Sequence, residues 1–242
     1  MAPLPDGACG SQVRDGDDVI PIRHAADARW RDNQNSTMKT ARFLSVLTVL
    51  LAACGGDGAT APLLPTTSVA DDFERATLGP NWVVSYGQPA IFGGSDLGTN
   101  TLDRGILGWR GAFGSDQFSE TVVSGGWDRN DFFQVAVRMD SLTSVRYGFL
   151  FRSDSLLYQL KYDGLPPSQV LVIDAVVGPP AQPGDTFRIE VQGTRLRGLV
   201  NGVVIAEGTH AALTSGIPGI AIAAFGTAPA VFFESWRGGT LP

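Results

Sequence analysis

Cysteine is almost missing from this chain. Cys9 and Cys54 are the only two in 242 residues, so no disulfide framework holds the fold together. Histidine is as scarce. His24 and His210 are the pair, and His210, in the turn-rich segment GTHAALTSG, reads as an exposed loop residue. After Cys54 it is the sole histidine and no cysteine follows, and one imidazole without an imidazole or thiol partner assembles neither a transition-metal site nor a serine triad. Basic charge is not in excess: 18 Lys and Arg against 24 Asp and Glu give a formal charge of -6. That balance excludes a nucleic-acid partner, whose phosphates need neutralising, and disfavours a polyanionic polysaccharide for the same reason. The apolar run Phe43–Ala53 is eleven residues, too short to span a bilayer core of roughly 30 Å as a helix. What is abundant is glycine and proline, 30 and 15 residues, which favours many turns and short strands over long helices.

The short apolar run has a telling context. Met38-Lys39-Thr40-Ala41-Arg42 places two positive charges before it, and Leu51-Ala52-Ala53 ends it in small residues. That is the order of a secretory signal. Leu51-Ala52-Ala53-Cys54 resembles a bacterial lipobox. The resemblance implies cleavage before Cys54, a diacylglycerol on its thiol and an acylated new amino terminus. Several acyl chains anchor a protein stably where a single chain binds marginally. Gly55, standing where an aspartate would retain such a lipoprotein at the inner membrane, points to the outer membrane. The expected organisation is a signal peptide over 38–53, then a lipidated cysteine and flexible tether over 54–67. Residues 1–37 show no helical or strand period. They read as an untranslated stretch upstream of a true start at Met38, the alternative being a disordered extension.

From Ser68 onward alternation and turns dominate, and one domain over 68–242 is expected. In TFRIEVQGTRLRGLVNGVVIAEG (186–208), Phe187, Ile189 and Val191 alternate with polar residues. Gly193-Thr194 and Asn201-Gly202 are two-residue hairpin turns. Their register sets Glu190 opposite Arg197 on a solvated polar face. In RYGFLFRSDSLLYQLKYDG (146–164), a turn at Asp154-Ser155 sets Tyr147, Phe149 and Phe151 against Tyr162, Leu160 and Tyr158. The other face then carries Gly148, Leu150, Arg152, Leu157, Gln159 and Lys161. Further strands are expected at 118–123, 132–138, 170–177, 218–225 and 231–236. Turn signals about every ten residues give an all-β chain arranged as a two-sheet antiparallel sandwich.

Asp71-Asp72-Phe73-x-Arg75-x-x-Leu78-Gly79-x-x-Trp82, Tyr147-Gly148-Phe149-Leu150-Phe151-Arg152, Phe187-Arg188-Ile189-Glu190-Val191 and Val200-Asn201-Gly202 follow one another in an order. That order is similar to the concanavalin A-like, laminin G-like jelly-roll β-sandwiches of bacterial secreted proteins. The resemblance implies two sheets, one concave, with sugar chemistry common on the concave side. Lectins, glycosidases, lyases and adhesion modules share such folds, so function has to come from a site.

The glucanases of this fold use Glu-x-Asp-x-(x)-Glu, and Glu74, Glu120, Glu190, Glu207 and Glu234 all lie outside that pattern. Asp71, Asp72 and Glu234 would meet if the first and last strands of the domain pair, and would suit a structural calcium ion. Sugar binding asks for an aromatic face with polar neighbours. Trp109 with Arg110, and Trp127 with Asp128, Arg129 and Asn130, supply both in glycine-flanked segments. Arg152, Gln159 and Lys161 line a sheet face. Trp82 and Trp236 read as packing residues. The expectation is a membrane-anchored lipoprotein whose sandwich binds a glycan or cell-surface polysaccharide without cleaving it and without a cofactor. The alternatives are a carbohydrate-active enzyme, a glycoside or keto-disaccharide hydrolase, with a dispersed site, and a structural or protein-adhesion module with a protein partner.

Overall fold

A computed structural model describes residues 23–24, 67–99, 104–128, 130–164, 170–225 and 230–242. The signal segment 38–53, Cys54, all of the tether except Thr67, and Arg129 lie outside the described residues. Among the described residues no helix is long and apolar enough to cross a membrane.

The described elements are strands: β1 (Arg23–His24), β2 (Thr67–Asp71), β3 (Trp82–Tyr86), β4 (Pro89–Phe92), β5 (Asp96–Thr99), β6 (Arg104–Trp109), β7 (Gln117–Val123) and β8 (Phe132–Met139). The second half adds β9 (Arg146–Arg152), β10 (Leu157–Asp163), β11 (Val170–Val177), β12 (Thr186–Gln192), β13 (Arg195–Val200), β14 (Val203–Thr209), β15 (Ile217–Ala223) and β16 (Ala230–Thr240). They form two sheets. The front sheet runs β1-β11-β10-β9-β8-β15-β6-β3 and the back sheet β14-β13-β12-β7-β16-β5-β4, with β2 also paired to β16. All pairings are antiparallel except the two-residue β1–β11 contact. The chain is a two-sheet jelly-roll β-sandwich.

Local sequence explains the best-defined hairpins. Asn201 and Gly202 have φ of 51° and 78°, the doubly positive pair of a type I′ turn, and link β13 to β14. Gly193 is positive at 56° and opens the tight turn between β12 and β13. Between the sheets the alternating aromatic residues meet. The Phe187 ring stands edge-on to Phe133 at 4.8 Å and parallel to Tyr158 at 5.9 Å. Tyr147, Phe149, Phe151 and Leu160 fill the layer around them.

Two expectations are corrected. Glu190 does pair with Arg197, but the pair is buried, with side chains 2% and 5% exposed. Arg188 also bonds Glu190 at 2.8 Å and lies 4.3 Å over the Phe118 ring. The Arg188 guanidinium over that ring excludes water from a face that alternation marks as polar. His210 is not a free loop side chain. Its Nδ1 lies 3.1 Å from the Tyr147 hydroxyl, and its ring packs 5.0 Å from Tyr162.

Candidate functional site

Cross-strand partners share a face, so the registers of the front sheet lay out its outward side in rows. One row reads Arg104, Ala223, Phe132, Arg152, Leu157 and Val177. The next reads Ile106, Ala221, Gln134, Leu150, Gln159 and Ala175, and the third Gly108, Gly219, Ala136, Gly148, Lys161 and Val172. The alternate residues of the same strands, such as Phe133, Val135, Phe149, Leu160 and Ile222, belong to the core.

In the first row the two arginines reach solvent, Phe132 is half-buried, and Ala223 and Leu157 are buried. Arg104 is exposed and its guanidinium sits 5.9 Å from the Phe132 ring centroid. Phe225, 47% exposed and two residues past the end of β15, lies 5.8 Å from Phe132. Arg152 is 42% exposed and bonds Asp154 at 2.9 Å. A half-buried phenyl ring thus has the Arg104 guanidinium against it and Arg152 as its cross-strand partner.

The inner rows carry a sunken polar cluster. Asp163 Oδ2 meets Arg146 Nη2 at 2.9 Å and accepts from Gln134 Nε2 at 3.1 Å, while Oδ1 meets Lys161 Nζ at 2.9 Å. Arg146 donates further to Gln134 Oε1 at 3.1 Å and to the Ser144 carbonyl at 2.7 Å. Gly148 is required beneath it, because a Cβ there would overlap the Gln134 amide. Burial pushes the Asp163 carboxyl up, but the facing Arg146 and Lys161 outweigh it and hold it below the usual carboxylate range. Burial lowers Lys161 from its ordinary value, and although Asp163 opposes this, repulsion from Arg146 and Arg104 adds to it.

The structure brings Arg152, Gln159 and Lys161 onto one face, as the alternation requires. It places the tryptophans elsewhere. Trp109 ends β6 and is half-buried in a cluster, stacked on Trp236 at 5.4 Å and edge-on to Trp82 at 5.2 Å. Its remaining edge lines a surface cleft with Asp71, Asp72, Arg75 and Asn81. Arg110 is exposed beside it, its N–H bonded to the Asn81 carbonyl at 2.7 Å. Trp127 stands edge-on to Phe133 at 5.4 Å and covers one end of the core. Asp128 and Asn130 are exposed in the same loop. Ser153 Oγ ties that loop to the β9–β10 turn, its one O–H shared between the carbonyl oxygens of Asp128 and Asp131 at 2.7 and 2.8 Å, next to Arg152.

For the acidic trio, β2 does pair with β16, Asp71 opposite Trp236. The Asp71 oxygens are already taken, however. Arg75 donates to both at 2.6 and 2.5 Å, Trp82 Nε1 to Oδ2 at 2.7 Å and the Phe73 N–H to Oδ1 at 2.8 Å. A cation there would have to displace a guanidinium and an indole. Asp72 and Glu234 are exposed, and Asp72 Oδ1 accepts from the Glu74 N–H at 3.1 Å.

Sequence reasoning missed Arg104, Phe132, Gln134, Arg146 and Asp163. The signal for two of them was at hand. Continuing the 146–164 hairpin one pair beyond Tyr147 and Tyr162 sets Arg146 opposite Asp163, on the face of Gly148 and Lys161.

The chain matches no protein-family profile and no curated protein. Solved structures do share its shape. β-Agarase A from Zobellia galactanivorans superposes on 76% of this chain and 96% of its own, at 13% identity and TM-score 0.54. The carbohydrate binding module CBM66 from Bacillus subtilis covers 66% of this chain and 93% of its own, at 11% identity and TM-score 0.50. The Crh5 transglycosylase in complex with NAG covers 74% and 86%, at 11% identity and TM-score 0.50. At such identities the likeness is one of fold, the two-sheet jelly roll, and it extends over nearly the whole of each of these proteins.

Proposed function

We propose that the domain binds a glycan on the outward face of the front sheet and does not cleave it. The observation that carries this reading is the row Arg104, Ala223, Phe132, Arg152, with Phe225 alongside. A pyranose lays its C–H patch on a ring, and the flanking arginines, with Gln159 in the next row, donate to its hydroxyls. The fold neighbours lend support: one is a carbohydrate binding module, and β-agarase A is also known in complex with oligoagarose. Asp163 is the one carboxylate at the described outward strand positions of this face, and it is poorly suited to acid catalysis. A glycosidase acid needs a raised pKa, whereas that of Asp163 is lowered and both its oxygens are bonded.

The test is a glycan array probed with the full chain, followed by titration of the hits. Phe132→Ala with Phe225→Ala should weaken binding about tenfold or more, since stacking on one ring is worth roughly 0.5–1.5 kcal/mol beyond its buried area. Gly148→Val, which drives the Gln134 amide off its seat, should weaken it too. No binding on the array, or release of shorter sugars from a bound oligomer, refutes the reading. We further propose that Cys54 carries a lipid that holds the domain at the outer membrane, a reading supported by the charged, apolar and small-residue order of 38–54. Labelled palmitate should enter the chain and be lost in Cys54→Ser. Equal label in the variant refutes the anchor.

A further inference from the structure

The other end of β6 opens on a different surface. Trp109 closes that strand and Arg104 begins it, so about 17 Å of extended chain separates the two places. Beside Trp109 lies a cleft of about 440 Å³, within the roughly 300–1,000 Å³ range of small-molecule sites. Its walls are fixed. The Trp109 indole is held by Trp82 and Trp236 at 5.2 and 5.4 Å, yet stays partly exposed. Asn81 is pinned through its backbone. Its carbonyl accepts the Arg110 N–H at 2.7 Å, and the N–H of the next residue, Trp82, bonds the Gly79 carbonyl at 3.2 Å. Gly79 lets Arg75 lie close to this turn, since a Cβ there would stand 3.3 Å from Nε. Arg75 commits Nε to the Thr77 carbonyl at 2.9 Å and one N–H from each terminal nitrogen to Asp71, which leaves one donor on each of those nitrogens. Asp72 is exposed, and the Glu74 N–H takes only one of the roughly four lone-pair sites of its carboxylate.

We propose that this cleft is a second sugar site, one that takes a neutral pyranose through a pair of neighbouring hydroxyls. The exposed part of the Trp109 indole meets an apolar C–H patch of the ring. The two Asp72 oxygens accept from adjacent hydroxyls, as a carboxylate accepts two N–H groups from a guanidinium. Arg75 and the Asn81 amide donate to hydroxyl oxygens. The mixture of groups decides the ligand class. The charged groups that line the cleft are Asp71, Asp72 and Arg75, and Asp71 and Arg75 cancel each other. An anion would be repelled by Asp72, and a cation by the remaining Arg75 donors. A hydroxyl both donates and accepts, so it satisfies the two together. Rigid walls keep the cost of ordering the site low. The site is separate from the front face, and the inference does not rest on the reading of that face.

The experiment is titration of the isotope-labelled full chain with methyl glucoside, methyl galactoside and methyl mannoside, followed by nuclear magnetic resonance. The three sugars differ in how neighbouring hydroxyls are set. The Trp109 indole N–H and the Asn81 side-chain amide report on the cleft, and the Gln159 side-chain amide reports on the front face. At least one sugar should shift the Trp109 and Asn81 signals saturably. Asp72→Ala should weaken that response about tenfold, the worth of hydrogen bonds to a charged group. Asp72→Asn, which keeps one acceptor oxygen, should weaken it less, and Asn81→Ala should weaken it severalfold. An unmoved Trp82 indole signal in each variant shows that the tryptophan cluster is intact. A response at Gln159 alone overturns the inference and leaves the front face standing, whereas a response in the cleft alone upholds the inference and counts against the front face. Silence at both places, or a Trp109 response unchanged in Asp72→Ala and Asn81→Ala, overturns it.

Discussion

Asp71→Asn isolates the joint that fixes the first strand of the domain to its tryptophan cluster. The carboxylate takes four hydrogen bonds, two from Arg75, one from the buried Trp82 indole and one from the Phe73 N–H. Asparagine keeps one acceptor oxygen and offers an NH2 where the other was. Whichever way it flips, a donor faces a donor. Leaving a buried N–H unsatisfied costs about 1–3 kcal/mol. Arg75 is 31% exposed, so its lost ion pair counts on the surface scale, about 0.2–1 kcal/mol. Together these come to about 1–4 kcal/mol, and for a domain of 150–250 residues that lowers Tm by roughly 3–15 °C. The effect has a pH signature. Burial raises the Asp71 carboxyl, but the bonds from Arg75, Phe73 and Trp82 outweigh it and leave its pKa below the ordinary 3.8. Its contribution is therefore complete above 3.8 and is lost as pH falls through the lower folded value. Melts followed by near-ultraviolet circular dichroism at pH 7.5 and pH 3 should show the gap between wild type and variant narrowing in acid. A variant that melts within 1 °C of wild type at pH 7.5, or a gap that widens in acid, refutes the assignment.

Two further perturbations bear on buried polar groups. Glu190→Gln takes the carboxylate from buried Arg197, while Arg188 keeps Glu120, and should cost about 3–5 kcal/mol in urea unfolding, whereas Glu207→Gln, which breaks the exposed Arg195 pair, should cost under about 1 kcal/mol. Equal costs would contradict the burial assigned to Glu190. Tyr158 donates to the Pro179 carbonyl at 2.6 Å, and burial raises its pKa far above the usual phenol value. Tyr158→Phe should cost about 1 kcal/mol and leave the tyrosinate absorbance of the folded protein at pH 11 unchanged; a loss of absorbance there would show that the phenol is solvated.

Alternation made the pairings of 146–163 and 186–209 legible, and β11 was readable to the residue, because period-two patterns and primed turns are local properties. β3, β4 and β5 escaped notice because each is four or five residues long and hemmed by Gly, Pro or Asn. What lies across a sheet is not local. Trp82, Trp109 and Trp236 are widely separated in sequence yet share one cluster, so a glycine-flanked Trp109 reads like a loop platform until its partners are known. The row of the front sheet was hidden for the same reason, since Arg104 and Phe132 become neighbours only through β15, which comes much later in the chain. Asp71 did have a local clue in the Asp-x-x-x-Arg spacing to Arg75, which favours a clamp over a metal.

The position of the last two strands has a consequence for how the domain acquires its fold. β15 lies between β8 and β6 in the front sheet, and β16 lies between β7 and β5 in the back sheet. A chain emerging in order from β2 to β14 therefore holds both sheets in separate halves, each with open edges and no mutual registration. Folding must wait for the final segment to arrive and wedge both sheets together, a high-contact-order closure that is slow by nature. Removing β16 alone should therefore leave no stable remnant rather than a smaller domain.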